Sequence, residues 1–433
     1  MKTNFPRVLF CIFCYFCLTL SAYSQPLYSL QDLCRLADKN AEIIKIATDD
    51  LFIAEQEKKR ALSVLVPRAT VFGNHLNYRE DEFTSPDSTT LGIKLTQSFT
   101  LNGRELIAYE VTQKGIEQAG FSKETIRADY LFQVAQYYFN TLSAKRLVEI
   151  AQAEVARLTT HKNSVQEKLI VGNVTKTALY RAEAELSRSL TDKIIAENSV
   201  GQNKAALVRL AGIEDDFRVS ADDLENIDNF NTTLNEIKTQ ALENRYEIKE
   251  AKKTLEIASR TVTYEKGDYW PSLSLEGGYK ESDISYGSQG SDIDYDTENT
   301  YIQAELVFTL YDGGLRKAQV LQAKAGERKA RQALNLEGKM IILESKVAFL
   351  EFETARSALI NLQDELKSAQ ENYKAVQMQF KYGMADSIDM MDANTLLVQA
   401  ERRISDAEYT YYLAVLKILY TKGELLAYLH IPA

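Results

Sequence analysis

The chain has 433 residues, with 51 Lys and Arg against 61 Asp and Glu and a formal net charge of −10. So acidic a protein is a poor binder of nucleic acid. After the first 24 residues no stretch approaches the roughly 18 apolar residues that a spanning helix needs.

The N-terminus reads as a secretory signal over residues 1–24. Lys2 and Arg7 precede an apolar run from Val8 to Leu20, and a small-x-small site, Ala22-Tyr-Ser24, follows. Without it the chain carries 49 basic and 61 acidic residues and one cysteine, Cys34 of the original four. That excludes an intramolecular disulfide. None of the cysteines lies in a lipoprotein cleavage box, so no lipid anchor is predicted.

Pro67 opens the first of two tracts with period two, about 69–80 and 90–101. In the clearer one, Leu91, Ile93, Leu95, Phe99 and Leu101 alternate with Gly92, Lys94, Thr96, Ser98 and Thr100. The acidic, turn-rich segment 80–90 between them reads as a solvent loop. A glycine turn, Asn102-Gly103, leads into a helix from Arg104 to Ile170 that has no proline and only two glycines. At ~1.5 Å per residue it spans about 100 Å. Gly172 turns the chain, and a second helix runs back over about 175–210.

After a linker at 214–232, Trp270-Pro271 opens strands predicted at 272–282 and 300–311, with Ile302, Ala304, Leu306, Phe308 and Leu310 on the apolar side. The segment 281–299 between them again reads as a solvent loop. Asp312-Gly313-Gly314 precedes a helix over 315–381, Gly383 turns it, and a return helix covers about 386–429. Its seam of Met390, Ala393, Leu397, Ala400, Ile404, Ala407, Tyr411, Ala414 and Ile418 steps by three and four, which predicts left-handed coiled-coil packing. The corresponding seam of the first return helix is interrupted by Ser189, Lys193 and Asn203.

The chain therefore states one unit twice. An offset of 211 residues pairs Gly172 with Gly383, Ala182 with Ala393, Leu186 with Leu397, Leu207 with Ile418 and Gly212 with Gly423. Asn40 and Asn244 correspond at an offset of 204. Each unit, 25–213 and 233–433, reads helix, strand, strand, long helix, glycine turn, helix. Strands of this length, apolar on one face, suit a tilted bilayer crossing. Four cannot close a barrel, and open edges in lipid leave backbone groups unpaired.

This order of elements, the two Pro…Asn/Asp-Gly hairpins and the tract Gly383-Met-Ala-Asp-Ser-Ile-Asp389-Met-Met-Asp392-Ala393 resemble the TolC-type outer-membrane efflux family over essentially the whole mature chain. The resemblance implies a mainly α fold with a transmembrane β-barrel contribution. Three copies would close one 12-stranded barrel in the outer membrane of a Gram-negative bacterium and extend a long periplasmic α-barrel. It implies a passive exit duct of a tripartite efflux pump or type I secretion system, partnered by a periplasmic adaptor, an inner-membrane transporter and outer-membrane lipid. No enzyme motif, cofactor or metal site is read from the sequence; His75, His161 and His430 are isolated. The rival from another class is a periplasmic coiled-coil scaffold with no pore, which explains the helices but not the strands.

The resemblance places the two glycine turns at the periplasmic tip and makes Gly172, Asn173, Val174, Thr175, Gly383, Met384, Ala385 and Asp386 the adaptor's docking surface. It makes Asp389 and Asp392, one helical turn apart, a carboxylate ring at the pore entrance; the other reading is acids favouring a helix N-terminus, a role for which Asp386 is better placed. The first unit has Ala178 and Arg181 at the positions of the two aspartates. Ala385 and Ala178 also stand where family members hold the entrance shut with an arginine and an acid, and Phe380 where a tyrosine would. Either Phe380, Met390 and Met391 close the entrance by packing, or the resting pore is looser. Tyr269 and Trp270 belong either to an interfacial aromatic belt or to packing beneath the strands.

Overall fold

The structure, a computed structural model, describes residues 25–77, 87–221, 230–286 and 293–431. The predicted secretory signal and the middles of both predicted hairpin loops and of the predicted linker lie outside these residues. Among the described residues no helix is long and apolar enough to cross a membrane.

The first unit runs β1 (Leu27–Tyr28), α1 (Leu30–Asn40), α2 (Glu42–Val64), β2 (Arg68–Leu76), β3 (Asp87–Thr100), α3 (Arg104–Ile170) and α4 (Lys176–Ala211). After β4 (Arg218–Val219) the second runs α5 (Leu234–Asn244), α6 (Tyr246–Lys266), β5 (Ser272–Tyr286), β6 (Ile293–Val307), α7 (Leu315–Lys381), α8 (Ser387–Thr421) and the short α9 (Leu425–Tyr428). Both long helices have 67 residues, about 100 Å each at the α-helical rise.

A helix of that length has no partner as long as itself, so each is covered in two stages. Near the strands α2 packs on α3 while α6 packs on both α3 and α7; beyond the midpoint α4 packs on α3, and α8 on α7 and α3. The handover is the same in both units. Asn40 ends α1 and donates through Nδ2 to the carbonyl of Ala211, 3.1 Å away, where α4 ends. A Cβ on Gly212 would stand 3.0 Å from that of Asn40, and one on Gly423 3.1 Å from that of Asn244. The asparagines and glycines that mark the sequence repeat thus meet in pairs.

The main core lies at this handover, with Leu131, Val134, Tyr138 and Phe139 of α3 against Leu207 and Leu210 of α4, Phe352 of α7 and Leu416 and Ile418 of α8. β1 and β4 pair in parallel beside it, and Phe217 and Val219 are buried, so this part of the predicted linker is packed into the fold. α8 is shorter than predicted. Gly423, at φ 74°, turns the chain while the amide of Glu424 donates to Leu419 O at 2.8 Å. Along α8 the predicted seam is buried at every position but Ala407, which is half-buried.

The four long strands form one antiparallel sheet in the order β2-β3-β5-β6, so the two hairpins join through β3 and β5, from Asp87 opposite Ser285 to Thr100 opposite Ser272. One face exposes Val71, Leu91, Ile93, Leu95, Leu275, Tyr279, Ile302 and Leu306. The other carries cross-strand polar contacts: Lys94 to Glu276 (3.1 Å), Tyr301 Oη to Glu276 (2.8 Å), Thr90 to Ser282 (3.0 Å) and Ser98 to Ser274 (2.9 Å). β2 and β6 each have one free edge among the described residues.

Two strand boundaries correct the sequence reading. The β5–β6 ladder extends to Tyr286 opposite Ile293, through most of the segment read as a loop. There the face that is apolar further down turns acidic, Glu281 opposite Glu298 and Asp283 opposite Asp296, while the other face pairs Ile284 with Tyr295. At the other end β6 stops at Val307, short of the predicted 311. Its partner β5 begins at Ser272, just after Pro271, which has no N–H to continue the ladder.

Beneath the sheet two arginines tie strands to helices. Arg104 lies 3.9 Å from the Tyr264 ring and pairs with Asp268; Arg316 donates to Asp312 (2.7 Å) and to the carbonyl of Asp268 (3.2 Å). The backbone amides of Gly314 and Arg316 also donate to Asp312, and these bonds, led by Arg316 N–H, hold its pKa down to about 2. Tyr269 and Trp270 are exposed at this junction, Tyr269 beneath the Arg316 guanidinium at 5.0 Å.

Candidate functional site at the helix tips

Both long helices end in the same turn. The amides of Gly172 and Asn173 donate back to Leu169 O (3.0 Å) and Lys168 O (2.8 Å), and those of Gly383 and Met384 to Phe380 O (3.3 Å) and Gln379 O (2.8 Å). This pair of bonds is the Schellman closure, which needs a left-handed residue after the helix; Gly172 and Gly383 supply it at φ 80° and 77°. Gly172, Asn173, Thr175, Gly383, Met384 and Asp386 are exposed at the extremity, while Val174 and Ala385 turn inward.

The return helices are capped differently. Thr175 accepts from the amide of Ala178 at 3.3 Å. Asp386 accepts from the amides of Ile388 (2.7 Å) and Asp389 (3.0 Å), and Asp389 accepts in return from the amide of Asp386 (2.9 Å). This reciprocal box satisfies three amides that a helix start otherwise leaves without partners. The two aspartates predicted as one ring therefore differ. Both are exposed on one side of α8, but Asp389 also holds the helix start.

Behind them lies a small core of Val165 from α3, Ala369, Tyr373 and Phe380 from α7, and Met390, Ala393, Leu397 and Ala400 from α8. Phe380 and Met390 are buried and Met391 is half-buried. The Lys168 ammonium sits 3.8 Å from the Phe380 ring centre and donates to that residue's carbonyl. His161 is buried against Phe380 and lies 2.9 Å from Ser387 Oγ.

Further up, polar residues join the units in a way the sequence reading missed. Arg157 of α3 reaches α8 at Asn394 (3.1 Å) and Glu401 (2.9 Å). Arg402 of α8 reaches back to Glu154 of α3 (3.2 Å) and Asp192 of α4 (3.1 Å). Burial pushes the Glu154 carboxyl up from its ordinary range, against the pull of Arg402. Ala385 and Ala178 leave no ion pair at the extremity, and these arginines provide ion pairs several turns away. One signal was available: Asn394 and Glu401 stand seven residues apart beside the Ala393–Ala400 seam.

Of the other histidines, His75 is exposed on β2 near Thr89 and His430 lies at the C-terminal end. Among the described residues no group of three or more His, Cys, Asp or Glu is placed to hold a metal ion.

Residues 238–420 match the outer membrane efflux protein domain. The chain is 23% identical to outer membrane protein TolC of Vibrio cholerae serotype O1, over 84% of this chain and 83% of that one. It is 22% identical to the alkaline protease secretion protein AprF of Pseudomonas aeruginosa, over 73% and 67%. Among solved structures, the Campylobacter jejuni CmeC outer membrane channel superposes with a TM-score of 0.78 at 19% identity, covering 92% of this chain and 86% of that one. At that identity the likeness is one of fold.

Proposed function

We propose that this chain, with an outer membrane efflux protein domain in its second half and TolC-like relatives over most of its length, is a TolC-like outer membrane efflux protein and works as the outer-membrane exit duct of an efflux pump or type I secretion system. The observation that carries the reading is the sheet. Its apolar face is turned to solvent, its other face is polar and cross-bonded, and it stands on two 67-residue helices. A scaffold without a pore gives that apolar face nothing to contact.

Closure follows from the two free edges. Lipid offers no hydrogen bonds to an open strand, so β6 of one copy pairs with β2 of the next, and three copies close twelve strands. The apolar faces then meet lipid and the polar faces line water. The units 25–213 and 233–433 contribute one hairpin each, and the helices of three copies enclose the periplasmic tube.

The turns at Gly172–Thr175 and Gly383–Asp386 are the adaptor's docking surface. Asp389 and Asp392 give six carboxylates around the entrance, an arrangement that favours cations. Packing of Phe380 and Met390, together with the Arg157 and Arg402 ion pairs, holds the tip shut. Energy comes from an inner-membrane transporter, and cargo moves passively.

The test is to extract the protein from outer membranes, measure its mass in detergent and record single-channel currents in planar bilayers. A trimer with discrete conductance is expected. A water-soluble monomer without conductance overturns the duct.

A further inference from the structure

His161 is 6% exposed and sits where three helices meet. It belongs to α3, its ring packs 5.1 Å from that of Phe380 on α7, and its Nε2 lies 2.9 Å from Oγ of Ser387, the first residue of α8. It borders a groove of about 670 Å³ between α3 and α7, floored by Met390 of α8. The charged and titratable groups facing it are Arg157 and Lys168 from its own helix and Tyr373 and Lys381 from α7; α8 presents Met390 to the groove and Ser387 to the imidazole. Among the described residues no carboxylate lines the groove. The nearby acids are engaged elsewhere, Glu401 with Arg157 and Asp386 with the α8 amides.

We infer that His161 is an acid-sensitive pin: neutral, it fastens α3 to the α7–α8 turn, and protonated, it loosens the tip. The inference rests on the reading of the tip as the channel entrance. An imidazolium here would be a fourth cation, beside Arg157, Lys168 and Lys381, in a groove lined by no carboxylate, and burial would strip most of its water. Desolvation, then the charge of Lys168, push the imidazole below its ordinary range. Since the packed tip lowers this pKa, its contribution is complete above the ordinary histidine value. It is lost as pH falls from there through the depressed one.

The test uses the full-length trimer in two measurements. His75, His161 and His430 are the only histidines, so NMR titration of labelled imidazoles resolves three signals, and H161Q assigns one. His161 is expected to titrate below the ordinary histidine value; titration at or above it overturns the pin. In planar bilayers the wild-type conductance is expected to rise about twofold or more between about pH 7.5 and about pH 4.5, a span that runs from above the ordinary histidine range to well below it. H161Q, which keeps a hydrogen-bonding group but cannot take a proton there, is expected to give the same conductance at both. S387A, which leaves the imidazole without its partner, should be looser at both pH values and show a smaller ratio. A pH-insensitive wild type, or an H161Q as responsive as wild type, overturns the proposal. If no protein conducts at either pH, the duct reading fails, and the titration of His161 still decides whether its buried state is neutral.

Discussion

Asp389 and Asp392 show how two like residues three positions apart come to do different work. Asp389 accepts the amide of Asp386 and closes the capping box, whereas Asp392 lies one turn into α8, past the amides that need a cap. Asp386 remains as the N-cap when Asp389 is removed, so losing the reciprocal bond costs less than a whole N-cap, up to about 1 kcal/mol. We expect D389A to lower thermal stability and D392A to leave it unchanged, while both lower cation preference, read as a reversal potential under a salt gradient. D389N retains an acceptor oxygen and should separate the effects, losing selectivity with little loss of stability. Equal melting temperatures for D389A and wild type would remove the cap from the account. The sequence made both acids visible, and the pattern Asp386-x-x-Asp389 held the further clue that the second carboxylate reaches back. His161 was legible only as an isolated histidine, because its surroundings come from helices more than 200 residues away.

Among the elements, legibility followed periodicity. The α8 seam was readable because alanine and large apolar residues alternate at steps of three and four, and burial follows that pattern down the helix. The outer part of the β5–β6 ladder was not, because acids take over the face that is apolar further down and Ile284 and Tyr295 pair on the opposite one, so the pattern that marks the inner strands breaks. The ties between α3 and α8 were hidden for a third reason: charged residues on long helices usually face solvent, and nothing local marks Arg157 or Arg402 as crossing between units. The Arg157–Glu401 pair is largely buried and doubly bonded, conditions under which an ion pair contributes more than at the surface. In a double-mutant cycle of R157Q and E401Q we expect a coupling of about 1 kcal/mol in thermal unfolding. The single variants should also raise resting conductance, as α8 moves more freely against α3. Additive stabilities with unchanged conductance would reduce the pair to a surface contact.

For the whole molecule the decisive property is which side of the sheet meets which solvent. Ile302 and Gln303 are neighbours on the free-edged strand β6. Ile302 points to the apolar face and is 90% exposed, while Gln303 is on the face that carries the Glu276 contacts. If the apolar face lies in lipid, an arginine at 302 takes a charge into hydrocarbon at a cost of about 2–4 kcal/mol near the midplane. Three copies would multiply that cost in one barrel. An arginine at 303 would meet water and acidic neighbours and cost little. We therefore expect I302R to deplete the protein from the outer-membrane fraction and to abolish the trimer that unheated detergent gels should show for the wild type. Q303R should insert and assemble normally and lower cation preference by adding three charges to the lumen. If I302R inserts as well as Q303R, the apolar face does not contact lipid, and neither the barrel nor the duct built on it stands.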